Sequence, residues 1–356
     1  MVIVSGMVVR GQEHPVETSL VGRMRDETIQ TPVNQRLTPF GKQVDLAGLR
    51  PQALALSPDG RLLVASGKTN QLVIVDPVTG EIRQSVPLPD DTQTTPAAPS
   101  TNILRPDTKA QVSFTGLIFS PDGRFLYLSN VNGSIKVFRV LEDGTVQGSH
   151  SIPLPPANAP RRKNEIPSGL TLTADGRSLL VCGNLSNRLI EISVADGKVQ
   201  RTWNVGAAPY DIVLAQGKAF VSNWAGRQPG AGDLTGPAGR GTVVRVDPVR
   251  HIASEGSVSI VDLATNAVSE VITGLHASGL AVSPDGKYVV CANAGSDTLT
   301  ILDARSHAIV ETLWAKHKPS DLFGASPNAL AFSRDGKRLF VANGTQNAIG
   351  VLEFDP

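Results

Sequence analysis

One pattern recurs along this chain and limits what it can fold into. From near Pro51, Phe114, Pro167, Pro209, Ala277 and Pro327, an alternating apolar stretch leads into a turn, a second apolar stretch and a third ending near Val-Asp. The turn reads Ser-Pro-Asp-Gly at 57–60, 120–123 and 283–286, Thr-Ala-Asp-Gly at 173–176 and Ser-Arg-Asp-Gly at 333–336. The fourth copy keeps only the glycine, in Ala215, Gln216 and Gly217. Asp-Gly between alternating hydrophobics is a hairpin signal, because glycine accepts the positive φ that tight turns demand. A fourth strand follows in most copies, as at 80–86 and 266–272. No stretch keeps a helical period. Four antiparallel strands per unit of roughly 40 residues, without helices, predict an all-β fold: a β-propeller of four-stranded antiparallel blades.

The two ends of the chain predict how the ring closes. The last copy supplies strands at 328–332, 338–343 and 348–354 and then stops, whereas Gly41–Gly48 reads as a fourth strand with no three before it. Pairing them gives six repeat units closed by an N-terminal strand and removes two open edges. The expected division is an N-terminal extension over 1–36, a signal remnant or an extra strand, and a propeller domain over 37–356.

Composition removes several functional classes. Basic and acidic residues nearly balance at 33 against 32, so no nucleic-acid partner is expected. Two cysteines exclude a disulfide-dense scaffold and a cysteine-only zinc or iron–sulfur site. No apolar run reaches the roughly 18 residues that span a bilayer, so no membrane insertion is expected. The apolar start, Met1 to Arg10, fits either a remnant of a signal peptide or an ordinary strand.

The copies resemble the YVTN β-propeller repeat family across about residues 37–356. The carrying residues are the Ser-Pro-Asp-Gly turns, the strand 339–343 with its variants at 290–293 and 220–223, and Ile260, Val261 and Asp262. Within that family the likeness is to bacterial proteins whose propeller half precedes a phosphoesterase domain. It rests on 222–226, the Gly/Pro-rich insertion leading to 241–247, and 255–262. The resemblance implies seven blades, a periplasmic or extracellular setting and a phosphoesterase partner. This chain has six units and no such domain, so no hydrolytic residue carries over. A fragment whose missing blade lies downstream of Pro356 is the corresponding expectation.

In an up-and-down blade, connections between second and third strands and between blades emerge on one face. The long insertions 90–112, 156–166, 225–256 and 315–326 all fall there. Binding residues favour loops held by a rigid scaffold, which makes this face the candidate site. The first positions of the inner strands open on the same face: Gln52, Thr115, Ser168, Tyr210, Ser278 and Asn328, polar in every copy. The next position reads Ala53, Gly116, Gly169, Asp211, Gly279 and Ala329, small except at Asp211. Second strands end on Asn130, Asn184, Asn223, Asn293 and Asn343. These rings read either as hydrogen-bonding groups around a channel mouth or as solvated and turn-capping residues. Trp224 is either a stacking platform or a packed lid.

Signatures of catalytic chemistry are scarce in the chain. Six histidines are scattered, with His276 nearest to interest because it precedes an inner strand. Metal-ligand spacing, a nucleophile elbow, a haem-attachment motif and a calcium loop are all missing. Neither a metal nor a cofactor is expected. Cys182 and Cys291 share one repeat register two blades apart, which predicts two buried free thiols. Arg161, Arg162 and Lys163 form a short basic patch, read as a solvated turn or as a lure for an acidic partner.

The sequence therefore predicts a non-catalytic binding or scaffolding propeller, a monomer that takes a protein or small-molecule ligand on its insertion-bearing face. Its candidate contacts are Gln52, Thr115, Ser168, Tyr210, Asp211, Trp224, His276, Ser278 and Asn328, with no catalytic residue assigned. The alternative is a hydrolase of the propeller-lactonase type at the channel mouth, for which Asp211, His276 and Arg50 are the available groups.

Overall fold

A computed structural model describes residues 21–46, 48–96, 107–318, 320 and 324–355. The apolar start at 1–10 and the middle of the 90–112 insertion lie outside the described residues, as does part of 315–326. The chain divides into two units, Met1–Val44 and Asp45–Pro356. In the first, three short antiparallel strands, Gly22–Arg23, Ile29–Gln30 and Arg36–Leu37, form a small sheet. Asp26 accepts hydrogen bonds from the Thr28 amide and hydroxyl in its first turn.

In the second unit the six repeats become six antiparallel sheets, each ordered as the chain runs. Blade 1 is Pro51–Leu56, Leu63–Gly67, Gln71–Val75 and Ile82–Pro87. Blade 2 is Val112–Phe119, Phe125–Asn130, Ser134–Val140 and Val146–Pro153. Blade 3 is Pro167–Leu172, Ser178–Gly183, Arg188–Ser193 and Val199–Asn204. Blade 4 is Pro209–Ala215, Lys218–Asn223, Gly256–Asp262 and Val268–Thr273. Blade 5 is Ala277–Val282, Tyr288–Asn293, Thr298–Asp303 and Ile309–Trp314. Blade 6 has only Pro327–Phe332, Arg338–Asn343 and Ala348–Glu353. Among the described residues there is no helix.

The Asp-Gly turns follow one design. In blade 1 the Ser57 hydroxyl donates to Asp59 Oδ1 at 2.6 Å, the same oxygen accepts the Arg61 amide at 3.0 Å, and Gly60 takes φ +73°. Blade 4 departs from it with a two-residue hairpin, Gln216 and Gly217, both at positive φ.

Strand alternation sends one face of each blade to the preceding blade and the other to the next. Blade 2 gives Leu126, Leu128 and Phe138 to the core shared with blade 1, and Tyr127, Ile135 and Val137 to the core shared with blade 3. Three further cores join blades 3 and 4, 4 and 5, and 5 and 6. Cys182 and Cys291 sit in two of these cores as buried free thiols.

The expected N-terminal closing strand is not formed. Residues 41–46 and 48 belong to no strand, and blade 6 lacks a fourth. The close packing of inner strands runs from blade 1 to blade 6 without continuing from blade 6 to blade 1. Apolar side chains consequently stay exposed on both terminal blades: Leu54 (64%) and Leu56 (56%) on blade 1, Ile349 (64%) and Val351 (57%) on blade 6.

The first insertion is fastened from below by Lys136 on the third strand of blade 2. This side chain is fully buried, and its ammonium holds Asp91 at 2.8 Å and Asp107 at 3.0 Å. Asp107 also accepts the amides of Lys109 and Ala110. Removing one partner of a buried charge costs about 3 kcal/mol or more. Replacing both carboxylates, Asp91→Asn with Asp107→Asn, leaves the ammonium without a counter-charge and is accordingly expected to lower stability in urea unfolding by about that amount. Adding Lys136→Met to the pair should return part of the loss, because the uncompensated ammonium is then gone.

Candidate ligand site at the junction of blades 4 and 5

Each inner strand starts on a β-bulge. Register against the second strand shifts between Pro51 and Ala53, Val112 and Leu117, Pro167 and Leu170, Pro209 and Asp211, Ala277 and Leu280, and Pro327 and Ala329. A bulge bends the strand and re-aims its side chains. Every polar first position predicted from sequence falls inside one of these shifts.

Their environments then differ. Ser168 and Ser278 are buried and committed to neighbouring blades: Ser168 Oγ donates to the Pro209 carbonyl at 2.7 Å and Ser278 Oγ to that of Pro327 at 3.1 Å. Ser129 and Ser222 on second strands do the same toward the carbonyls of Ser168 (2.7 Å) and Ser278 (2.5 Å). Gln52 and Asn328 are exposed, and Thr115 is half-buried. The strand-end asparagines serve local structure: Asn130 donates to Ser134 Oγ, Asn184 to the Pro209 carbonyl, and Asn293 to Thr298 and Thr300. Arg50 is exposed at the start of blade 1.

Tyr210, Trp224 and His276 do come together. Trp224 of blade 4 stacks on His276 of blade 5, with centroids 4.5 Å apart and planes 6° from parallel. Tyr210 lies 5.7 Å from Trp224, and Phe114 of blade 2 meets Tyr210 edge-on at 5.5 Å. Four rings from three blades thus make a continuous shelf. Phe114 and His276 both hold positive φ, +52° and +57°, a strained conformation for side chains of this size. Phe114 was not among the residues singled out from sequence. Its signal is an irregularity: Val112 to Leu117 spans five steps where Pro167 to Leu170 spans three, so blade 2 carries two extra residues there.

Asp211 follows Tyr210 in the same inner strand and links blades 4 and 5. Its Oδ1 accepts the Ile212 amide and its Oδ2 the Leu280 amide of blade 5, each at 2.9 Å. Burial raises its carboxyl to about 6, while those two amides pull the other way. Burial and then the Asp211 charge lift the Tyr210 phenol to about 12, so it remains a hydrogen-bond donor. Burial lowers the His276 imidazole below its ordinary value, which favours the neutral ring. Among the described residues no group of three or more His, Cys, Asp or Glu is placed to hold a metal ion.

Residues 251–356 match the family described as lactonase, 7-bladed beta-propeller, less than half of the chain. A Bacteroides uniformis protein assigned as a 6-phosphogluconolactonase superposes with a TM-score of 0.59 at 15% identity, covering 90% of this chain and 85% of its own. U3-55K gives a TM-score of 0.63 at 10% identity, with coverage of 88% and 80%. The propeller domain of Myceliophteria thermophila Cps50 (Swd1) gives 0.57 at 13%, with 90% and 87%. The chain is a β-propeller. No curated protein matches it in sequence.

The raised Asp211 carboxyl has a defined effect on stability. A native pKa above the unfolded value means that the fold binds the proton more tightly, so stability is full below about 4 and falls as pH rises through about 6. The expected loss is on the order of 2–3 kcal/mol. Urea unfolding across this range should show it, and Asp211→Asn should flatten it. The turn aspartates act in the opposite sense and at lower pH: Asp59 and Asp285, held near 2, lose their contribution only as pH falls through that value.

Proposed function

We propose that this propeller binds a small polyhydroxylated ring, a sugar or a lactone derived from one, on the shelf of Phe114, Tyr210, Trp224 and His276. The observation that carries the reading is the Trp224–His276 stack, which joins blades 4 and 5 at the junction where Asp211 also bonds the Leu280 amide. Aromatic faces take the C–H face of such a ring, and a carboxylate with lone pairs to spare accepts its hydroxyl groups. Ser168, Ser278 and Asn184 are occupied in the scaffold, so the reading rests on the shelf and Asp211.

A second reading is hydrolysis of a bound lactone, supported by the family match over 251–356 and by a carboxyl near 6. Ionised Asp211 would take a proton from water as the water adds to the lactone carbonyl and the ring opens to a hydroxy acid.

Titration with a δ-lactone and with its hydroxy acid, read by tryptophan fluorescence, tests both. Saturable quenching is expected for the native chain, and Trp224→Ala should abolish it while circular dichroism stays unchanged. Absence of quenching by either compound overturns the binding reading. Hydrolysis would appear as proton release in a pH-stat, with a rate rising through about pH 6 and falling on the order of 10²-fold or more in Asp211→Asn.

A further inference from the structure

Two insertions from different places in the ring meet at their tips. The Arg161 amide donates to the Arg240 carbonyl at 2.9 Å. Gly241 lies so close to the 156–166 loop that a side chain there would come within 2.9 Å of Pro160 and 3.2 Å of Arg161. The contact gathers Arg161, Arg162, Lys163 and Arg240 into one patch. Arg161, Lys163 and Arg240 are exposed, and Arg162 is half-buried. Among the described residues none of the four is paired with a carboxylate, whereas Arg227, Arg245 and Arg250 of the same insertion all are. Glu165, the nearest acid in sequence, is buried and turned inward to the amides of Ile166 and Leu185.

The way Arg240 is displayed adds an independent observation. The insertion carries a hairpin, Thr235–Gly239 and Thr242–Arg245, turned by Arg240 and Gly241 with φ +49° and +82°. A two-residue turn with positive φ at both positions favours Asn-Gly, and arginine is strained at the first. Among the described residues Arg240 is the sole Arg or Lys with positive φ. The comparable turn at Gln216 and Gly217 puts its strained residue to structural use, since Gln216 Nε2 donates to the Gly286 carbonyl at 2.9 Å. The Arg240 guanidinium has no such bond among the described residues. The hairpin is nevertheless held firmly: Val244 and Val246 pack with Ala207 and Ala225, and Arg245 bridges Asp233 and Glu255. On its outer surface Val243 stays 49% exposed.

We infer that the joined tips of 156–166 and 225–256 form a docking surface for an acidic segment of a protein partner. Arg161, Lys163 and Arg240 meet its carboxylates and Val243 meets an apolar side chain among them, while Arg162, bonded to the Asn164 and Val131 carbonyls, adds its charge from behind. A compact group of three exposed cations beside an apolar residue suits a short mixed acidic and apolar peptide. A nucleic acid backbone needs a longer basic track than this near-neutral chain provides.

The test uses the whole chain and three fluorescein-labelled probes of equal charge: a Glu/Leu peptide, an oligothymidylate and a heparin fragment. Anisotropy should show the peptide bound, with affinity falling about tenfold between about 50 and 300 mM salt. Arg161→Glu with Arg240→Glu should abolish binding, and Arg334→Glu on the turn face should leave it intact. Arg240→Asn, which suits the turn better, should weaken binding several-fold without lowering the melting temperature. The inference is overturned if the peptide does not bind, if the double reversal binds as well as the native chain, or if either other polyanion binds more tightly.

Discussion

Neighbouring inner strands approach one another so closely that the residue between them can have almost no side chain. A Cβ on Gly116 would come within 2.2 Å of the Ser168 carbonyl oxygen, one on Gly169 within 2.6 Å of Asp211 Cα, and one on Gly279 within 2.7 Å of the Asn328 carbonyl oxygen. The serine hydroxyls that donate from blade to blade depend on this approach, because a hydroxyl reaches a neighbour's carbonyl only when the backbones are nearly touching. Blade 4 breaks the pattern. Asp211 stands where the other blades have glycine or alanine, and it spans to the Leu280 amide with its own side chain. The junction of blades 4 and 5 is therefore the place where the ring admits a charged group.

The insertions on this face are built on a shared device. Each is fastened by a carboxylate with little exposure: Asp107 for 90–112, Glu165 for 156–166, Glu255 for 225–256 and Asp297 for 315–326. Asp107 and Glu165 accept backbone amides of their own loops, and Asp297 accepts those of Gly324 and Ser326. Glu255 instead grips Arg227 through both oxygens and Arg245 through one. An acid that satisfies two or three donors at a loop's foot fixes the backbone there while leaving the tip free to vary. The face thus carries long loops on fixed bases, the arrangement expected of a recognition surface.

Much of this was legible in the chain. The Asp-Gly turns and strand alternation announced the blades, and the small residues at 116, 169 and 279 announced the crowding at the axis. Tyr210 and Asp211 stood out because they interrupted a regular column, and the structure sets Tyr210 against Trp224 and ties Asp211 to blade 5. The serines misled, since a polar residue at a channel mouth and one bonded to the next blade look alike in sequence. Phe114 escaped because aligning the repeats hides a two-residue surplus that only strand register reveals. The meeting of Arg161 with Arg240 was also invisible, because it depends on how far two loops reach across the face. The N-terminal strand at 41–48 failed for a different reason: its likeness to a fourth strand lay in alternation alone, with no partner register to fix it.

Asp211 joins the scaffold and the shelf in one group. Its ionised form accepts two amides and so ties blade 5 to blade 4, yet burial works against that same charge. A neutral hydrocarbon side chain would remove the desolvation penalty but leave the Leu280 amide without its acceptor. The compromise is a carboxyl poised near neutrality next to the half-buried Tyr210 ring. A hydroxyl-bearing ligand that donates to it supplies a hydrogen bond the scaffold lacks, and so favours the ionised state that burial disfavours. Ligand and fold are then linked: whatever binds the shelf through Asp211 strengthens the junction of blades 4 and 5, by mass action, in the pH range where the empty junction is weakest.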